Sequence, residues 1–133
     1  MAYWLMRSEP DVYGWDDLVR DHGTEWDGVR NYTARNFLKE MKPGELTFFY
    51  HSNKEKAVVG VMEVTRAWQP DGDDGKWASV RVEPRDKLAA PVPLSDIKAD
   101  PKLASLEMLR QSRLSVTPVL EEEWNRILAM ASA

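Results

Sequence analysis

Cysteine is absent from the chain, and histidine occurs only twice. The lack of cysteine excludes disulfides, thiolate zinc sites and cysteine nucleophiles, and it is typical of a protein from a reducing compartment. With only His22 and His51 available, a metal site would depend on carboxylates, and no spacing in the sequence supports one. We therefore expect no metal and no other cofactor.

Long apolar runs are also missing. The run from Ala2 to Met6 is far shorter than a signal peptide or a membrane-spanning helix requires, so we expect a cytoplasmic protein. The motifs GxSxG, GxxxxGK[ST] and HExxH do not occur, so the sequence contains no familiar catalytic or nucleotide-binding signature. We accordingly expect a protein that is not an enzyme.

The composition is that of a folded protein. Hydrophobic residues make up 43% and charged residues 30% of the 133 residues, which excludes a disordered chain and is enough for one core. We expect a single domain over residues 1–133, acting as a monomer.

Charge is unevenly distributed along the chain. The net charge of −4 argues against a strongly basic nucleic-acid-binding surface. Residues 29–56 nevertheless carry +3, which leaves −7 for the remainder. Such a segment is compatible with contact to a few phosphates, although a solvated charged face explains it nearly as well. The six basic residues are Arg30, Arg35, Lys39, Lys42, Lys54 and Lys56.

Hydrophobic periodicity predicts the order of the secondary-structure elements. Sequential strands with helices at both ends favour an α+β fold, a small antiparallel barrel or a strongly curved sheet packed by helices. The segment 84–93 contains three prolines and is predicted to be an edge or loop. We predict strands at 3–8, 45–52, 57–68 and 77–83, helices at 13–20, 32–41, 94–100 and 101–109, and a final helix starting near Thr117, with 114–116 as a further candidate strand.

The helix at 32–41 has two distinct faces. Ala34, Phe37, Leu38 and Met41 form a core-facing stripe, whereas the opposite face is polar and contains Tyr32, Arg35, Asn36 and Lys39. Asn31 precedes the helix and is a good N-cap residue. In the helix before it, the inner face is predicted to be Trp15, Leu18 and Val19.

Six segments resemble, in this order, the signature blocks of the EVE domain family, small proteins related to thymocyte nuclear protein. They are YWLMRSEP, WDGVRNYTARNFLKEMKPGE, FFYHSN, VVGVMEV, LSVTPV and the following EEW, and they span almost the whole chain. The resemblance implies a PUA-like fold, a curved antiparallel β-barrel with flanking helices, which YTH and ASCH domains share. It also implies a partner, DNA or RNA with modified bases, read by a non-catalytic module.

The residues themselves fit a base pocket. A flipped base needs flat apolar faces and polar groups around its edge. Trp26 and Tyr32 can supply faces, and Asn31 and Asn36 offer donors and acceptors. The predicted ligand-binding residues are Ser8, Trp26, Val29, Asn31, Tyr32, Asn36, His51 and Ser52, and the predicted phosphate-binding residues are Arg30, Arg35 and Lys39.

Other interpretations remain open. Asn31 can serve as a helix cap, and Arg35 and Lys39 can form a solvated face. Some ASCH-like relatives hydrolyse small amides of nucleosides, and Glu9 would be a plausible base in such an enzyme if it were buried. A small-molecule or protein-binding module that keeps the fold but not the nucleic acid is a third possibility. Trp68 and Trp77 are candidates for the rim without a firm assignment.

Overall fold

The computed structural model describes residues 1–53 and 55–132 and has a mixed α+β architecture. In these residues six strands form one sheet, and five α-helices and a short 3-10 helix flank it. Lys54, part of the predicted basic segment, lies outside the described residues. In chain order the elements are β1 (Tyr3–Ser8), α1 (Trp15–Asp21), β2 (Thr24–Trp26), α2 (Tyr32–Glu40), β3 (Leu46–His51), β4 (Ala57–Pro70), β5 (Ala78–Pro93), α3 (Leu94–Ala99), the 3-10 helix (Pro101–Leu103), α4 (Glu107–Arg110), β6 (Val116–Val119) and α5 (Glu121–Ser132).

The strand order across the sheet is β2-β5-β4-β3-β1-β6. The predicted antiparallel pair of β3 and β4 is confirmed, with Leu46 opposite Glu63. The expectation of a purely antiparallel sheet is wrong, because β1 runs parallel to β3 and places Ser8 beside His51. The chain crosses over through α1, β2 and α2 between these two strands, and such a crossover is what parallel pairing requires.

The barrel implied by the resemblance is not confirmed. Among the described strands, β2 pairs only with β5 and β6 pairs only with β1, so the ladder of hydrogen bonds has two open edges. The coarser expectation of an α+β fold with flanking helices holds. Within the described part of the chain, no helix is long and apolar enough to span a membrane.

Alternating side chains of β1 and β3 divide the core into two layers. Met6 and Phe49 belong to the core on the face covered by α1 and α2. Leu5, Phe48 and Tyr50 belong to the core on the opposite face, where Trp124 of α5 stacks on Phe48 with ring centroids 3.8 Å apart. The sheet is therefore buried on both faces.

Helix α1 is fixed to the sheet at one close contact. The Trp15 ring covers Gly60 of β4 so closely that a Cβ at Gly60 would lie 2.4 Å from Trp15 Cζ3. The backbone N–H of Trp15 also donates to Nε2 of His51 at 3.1 Å. Leu18 is buried as predicted, but Val19 is 45% exposed and does not belong to the inner face.

Helix α2 follows its sequence prediction closely. The side chain of Asn31 accepts a hydrogen bond from the Ala34 N–H at 3.0 Å, which confirms the N-cap. Ala34 and Leu38 are fully buried, and Met41 is nearly so, while Phe37 packs half-buried against the same core. The polar face of α2 is therefore directed away from this core.

The second half of the chain differs from the prediction in several places. The helix predicted at 101–109 is divided into the 3-10 helix Pro101–Leu103 and helix α4, Glu107–Arg110. For residues 84–93 the edge alternative is confirmed and the loop alternative is wrong. Strand β5 continues to Pro93, and this part of it pairs with β4 alone among the described strands, with register shifts that accommodate the irregular segment. The final helix does not start near Thr117, because 116–119 form strand β6 beside β1. Pro118 is tolerated at this sheet edge. The helix begins later, at Glu121, where the Glu123 carboxylate accepts the Leu120 N–H at 2.9 Å.

Candidate nucleic-acid interface

A cavity of about 640 Å³ lies on the face of the sheet that α1 and α2 cover. Its walls come from the end of β1, the turn that follows it, strand β2 and the loop that leads to α2. Residues 7–13 and 24–30 supply these walls, and Ser115, which precedes β6, is the one lining residue that is distant from them in sequence. The lining residues are Arg7, Ser8, Glu9, Val12, Tyr13, Thr24, Glu25, Trp26, Asp27, Gly28, Val29, Arg30 and Ser115.

The turn after β1 forms the first wall and is held by its own hydrogen bonds. The backbone N–H groups of Val12 and Tyr13 both donate to the Glu9 carbonyl, at 3.0 and 2.8 Å. The Ser8 hydroxyl donates to the Tyr13 carbonyl at 2.6 Å. The Tyr13 hydroxyl donates to Asp21, and burial raises the pKa of Tyr13 above its ordinary value. The wall is thus tied to both β1 and α1.

Trp26 and Val29 supply the apolar wall. Trp26 is only 8% exposed, and its ring packs edge-on against Phe49 with centroids 5.6 Å apart. Val29 is 6% exposed. Both residues are therefore part of the core and also border the cavity, so the apolar surface offered to a ligand is supported from behind.

Asp71 anchors the loop that carries Val29. Its carboxylate accepts hydrogen bonds from the Gly28 N–H and from Arg30, both at 2.9 Å. These two contacts, that of Gly28 first, lower the pKa of Asp71 below its ordinary value. Asp71 lies at the end of the β4–β5 hairpin, so the hairpin holds the cavity wall in place.

Two other charged lining groups are engaged outside the cavity. The Arg7 guanidinium donates to the Ser112 carbonyl and lies 5.4 Å from the centre of the Tyr50 ring. The Glu25 carboxylate forms a bidentate pair with Arg66, with both distances 2.7 Å. That pair lowers the pKa of Glu25 below its ordinary value.

Four of the eleven residues predicted from the sequence line this cavity: Ser8, Trp26, Val29 and Arg30. The other seven lie outside it. His51 is the last residue of β3 and Ser52 follows it, and the remaining five lie at the start of α2 or on its polar face: Asn31, Tyr32, Arg35, Asn36 and Lys39.

His51 is adjacent to Ser8 in the sheet, but its ring is directed at α1. Its Nε2 accepts the Trp15 N–H, and its Nδ1 lies 2.9 Å from the Glu55 carboxylate. Accepting at Nε2 leaves the ring proton on Nδ1, where it donates to Glu55. The backbone N–H of Ser52 donates to the Ser8 carbonyl at 2.9 Å. Both residues therefore contact the elements that form the cavity.

Four side chains pack against one another where α2 meets the β4–β5 hairpin. Arg30 precedes α2, Tyr32 and Arg35 belong to α2, and Trp77 belongs to the hairpin. Tyr32 and Trp77 are stacked with centroids 5.0 Å apart. Arg30 lies 5.3 Å from the Trp77 ring, and Arg35 lies 4.9 Å from the Tyr32 ring. Trp77 thus covers one face of the Tyr32 ring and Arg35 also contacts that ring, while Tyr32 remains 55% exposed.

Neighbouring groups extend this surface. Arg35 also donates to the Lys76 carbonyl at 2.9 Å and to the Asn36 side chain. The Lys39 ammonium lies 4.5 Å from the ring of Trp68, which is 40% exposed. The two tryptophans without a firm assignment thus lie beside the predicted phosphate-binding residues, outside the cavity.

Sequence reasoning missed several cavity residues. Asp27 stands between two predicted site residues in the segment WDGVRN. Glu9 follows Ser8 in YWLMRSEP and was considered only as the base of a hydrolase, not as a ligand-binding residue. Both positions lie inside segments that resemble the family blocks, so their place in the sequence was a usable signal. Tyr13, Thr24 and Ser115 had no such signal, because only the folded chain brings them together.

Comparison with known proteins supports a family assignment. Human thymocyte nuclear protein 1 is 32% identical to this chain over 97% of it and 73% of the human protein. A crystal structure of a protein from Agrobacterium tumefaciens is 42% identical and superposes with a TM-score of 0.96, covering 98% of this chain and 93% of that one. Human thymocyte nuclear protein 1 has also been crystallised in complex with DNA containing 5-methylcytosine. That structure is 31% identical with a TM-score of 0.92, and it covers 100% of this chain and 99% of the human one.

A more distant likeness concerns the fold alone. The YTH domain of the Zygosaccharomyces rouxii protein MRB1 superposes with a TM-score of 0.63 at 14% identity, covering 98% of this chain and 86% of that one. A sequence profile of the EVE domain matches residues 2–130. Together with the whole-chain relatives, this match shows that the chain belongs to the EVE domain family.

Proposed function

We propose that this chain is a monomeric, single-domain, non-catalytic module that binds nucleic acid and holds a modified base in the cavity between β1 and β2. The observation that carries the proposal is the cavity itself. Its volume of about 640 Å³ lies within the usual range of roughly 300–1,000 Å³ for ligand sites. It combines an apolar wall, Trp26 and Val29, with polar groups such as Ser8.

Similarity to the human relative supports the choice of ligand. The human protein was crystallised with DNA containing 5-methylcytosine, and it superposes on this chain over its whole length. The 5-methyl group of such a base is apolar, so contact with Trp26 and Val29 would favour the methylated base over the unmodified one. Ser8 keeps lone pairs free for the base edge, because its hydroxyl is only a donor in the contact with Tyr13.

The phosphates would remain outside the cavity, on the polar face of α2. Arg35 lies there over the Tyr32 ring, Lys39 lies beside exposed Trp68, and Arg30 lies at the boundary with the cavity. Contacts of this kind position a strand and carry no sequence information. The roles predicted for Asn31, Tyr32, Asn36, His51 and Ser52 stay predictions, and the observed contacts of Asn31 and His51 suit residues that position the cavity walls.

The side chains around the cavity also support a binding role over a hydrolytic one. Among the lining residues, all of them described, there is no histidine or lysine beside the Ser8 hydroxyl, which donates instead to a backbone carbonyl. His51 has both ring nitrogens engaged, by Trp15 and Glu55. A nucleophile needs a base within hydrogen-bond reach, and none of these contacts provides one. Glu9, the base considered for a hydrolase on condition that it is buried, is exposed.

The proposal is tested with single-stranded DNA oligonucleotides that carry cytosine or 5-methylcytosine at one position. We expect the wild-type protein to bind the methylated strand more tightly, since one methyl group in an apolar pocket contributes about 1–3 kcal/mol. Val29→Ala should weaken this preference, and Trp26→Ala should lose about 1–3 kcal/mol of affinity as well, because it removes a stacking face.

Because Trp26 is part of the core, each variant is first checked for cooperative unfolding, and Trp26→Phe, which keeps an aromatic face, serves as a milder change. Val19→Ala is the matched control, since Val19 is an exposed valine on α1 that does not line the cavity. Equal binding of both strands by the wild-type protein would refute the proposal whatever the variants do.

A further inference from the structure

The cavity presents mainly acceptors to a ligand, because its positive groups are already engaged. Arg30 donates to Asp71 and also to the carbonyl of its neighbour Val29, at 2.9 and 3.1 Å. Arg7 donates to Ser112 and packs on the Tyr50 ring. Neither guanidinium is therefore a free donor directed at the cavity.

Two carboxylates of the cavity lining, unlike the two guanidinium groups, are available to a ligand. Glu9 and Asp27 border the cavity from two different segments, one in the turn after β1 and the other in the loop after β2. Across residues 1–53 and 55–132, neither carboxylate takes part in a hydrogen bond or an ion pair. Glu25, the third acid of the lining, is already paired with Arg66.

An unpaired carboxylate selects ligands that can donate a hydrogen bond to it. An ionised carboxylate only accepts hydrogen bonds, so it favours a ligand edge that carries N–H groups. It also repels phosphate, which keeps the backbone of a strand out of the cavity while a neutral base enters. Among the bases, cytosine and adenine carry an exocyclic amino group, whereas thymine and uracil carry an acceptor oxygen at the same place.

We infer that Glu9 and Asp27 read the exocyclic amino group of the bound base, so that the cavity takes amino bases and rejects 4-oxo pyrimidines. This inference rests on the proposed function, since it concerns the same cavity. It adds a second basis for discriminating between bases, which is independent of the methyl group. The apolar wall contacts the substituent at the 5-position of the pyrimidine, and the carboxylates contact the substituent at its 4-position.

Four single-stranded DNA oligonucleotides separate the two selections. They carry cytosine, 5-methylcytosine, uracil or thymine at one position, so that the set varies the methyl group and the amino group independently. Single strands remove the cost of breaking a base pair. For the wild-type protein we expect the amino base to bind about tenfold more tightly than its 4-oxo counterpart in both the methylated and the unmethylated pair, since hydrogen bonds to charged groups are among the stronger ones.

The variants Glu9→Gln, Asp27→Asn and their combination keep the size of each side chain. An amide offers both a donor and an acceptor, so it accommodates either an amino or an oxo group. In the double variant we expect strands with amino bases and strands with 4-oxo bases to bind with nearly equal affinity. If one single variant alone loses the preference, the carboxylate changed in it is the one that accepts the hydrogen bond from the amino group. Asp16→Asn is the control: Asp16 is an exposed acid on α1 outside the cavity, and its removal should change binding of all four strands by the same factor.

The outcomes distinguish this inference from the proposed function. A wild-type protein that prefers methylated strands but binds amino and oxo bases equally overturns the inference and leaves the proposed function standing. An amino preference that persists in the folded double variant also overturns it. Absence of a methyl preference in both pairs contradicts the proposed function instead, and the amino preference is then assessed separately.

Discussion

Replacing Asp71 by asparagine tests how the β4–β5 hairpin holds the cavity wall. The Asp71 carboxylate accepts from the Gly28 N–H and from Arg30, both at 2.9 Å. Asparagine retains one neutral acceptor, so the loss at Gly28 is the difference between a charged and a neutral hydrogen bond, about 1 kcal/mol. The Arg30 side chain is 48% exposed, and an exposed ion pair adds only about 0–1 kcal/mol. We expect Asp71→Asn to lower the free energy of unfolding by about 1–2 kcal/mol.

The effect should depend on pH with a definite sign. The contacts lower the pKa of Asp71 in the folded state below the ordinary aspartate value of 3.8. A lowered folded-state pKa contributes stability above the unfolded-state pKa and loses it as the pH falls through the folded-state value. The free energy of unfolding of the wild type should therefore exceed that of Asp71→Asn by the full amount near neutral pH. This difference should disappear as the pH falls below 3.8.

Urea denaturation of both proteins across this range measures the difference directly, and carboxylates common to both proteins cancel. Asp73→Asn is the control, since Asp73 is an exposed acid in the same hairpin. A difference that stays constant with pH, or that is absent at neutral pH, would show that the Asp71 contacts do not hold the loop.

Two further predictions concern the fold and the phosphate contacts. Gly60→Ala should lower the free energy of unfolding by about 1–3 kcal/mol, because its Cβ would lie 2.4 Å from Trp15 Cζ3. Urea denaturation measures this loss. If the contact is the cause, combining the change with Trp15→Phe should restore part of it. The double variant Arg35→Ala, Lys39→Ala should weaken binding of all oligonucleotides alike. It should also reduce the slope of log affinity against log salt concentration by roughly one for each phosphate that is no longer neutralised. Titrations at two salt concentrations measure both effects, and a change in base preference would contradict the prediction.

Local periodicity was enough to predict the elements that are long and regular. Strands β1, β3 and β4 and helix α2 appear within one or two residues of their predicted ends, because each combines a clear hydrophobic pattern with a terminal signal such as Asn31 or Pro43. Strand β2 escaped prediction because three residues carry no measurable alternation. Strand β6 was assigned partly to a helix because Pro118 also fits a helix start, and only its place at a sheet edge makes it a strand.

The site was harder to predict because side-chain direction depends on distant partners. The register of β1 and β3 does place Ser8 beside His51, yet the Trp15 N–H turns the His51 ring towards α1. Tyr32 was expected to face a base, but Trp77, far along the chain, covers one face of its ring. Single-residue chemistry identified groups suited to a base, whereas long-range contacts decide which of them reach the cavity.

An acidic protein can bind nucleic acid when its charges act locally. At physiological salt, charges on the surface are screened beyond about 8 Å, so a phosphate senses its nearest side chains more than the net charge. In this chain the cations beside the hairpin, Arg35 and Lys39, lie on aromatic rings outside the cavity, whereas the unpaired acids Glu9 and Asp27 line it. Such an arrangement favours a strand whose backbone follows α2 while one base turns inward. It also requires that neutralising the acids alters base preference, whereas neutralising the cations alters salt dependence and leaves base preference unchanged.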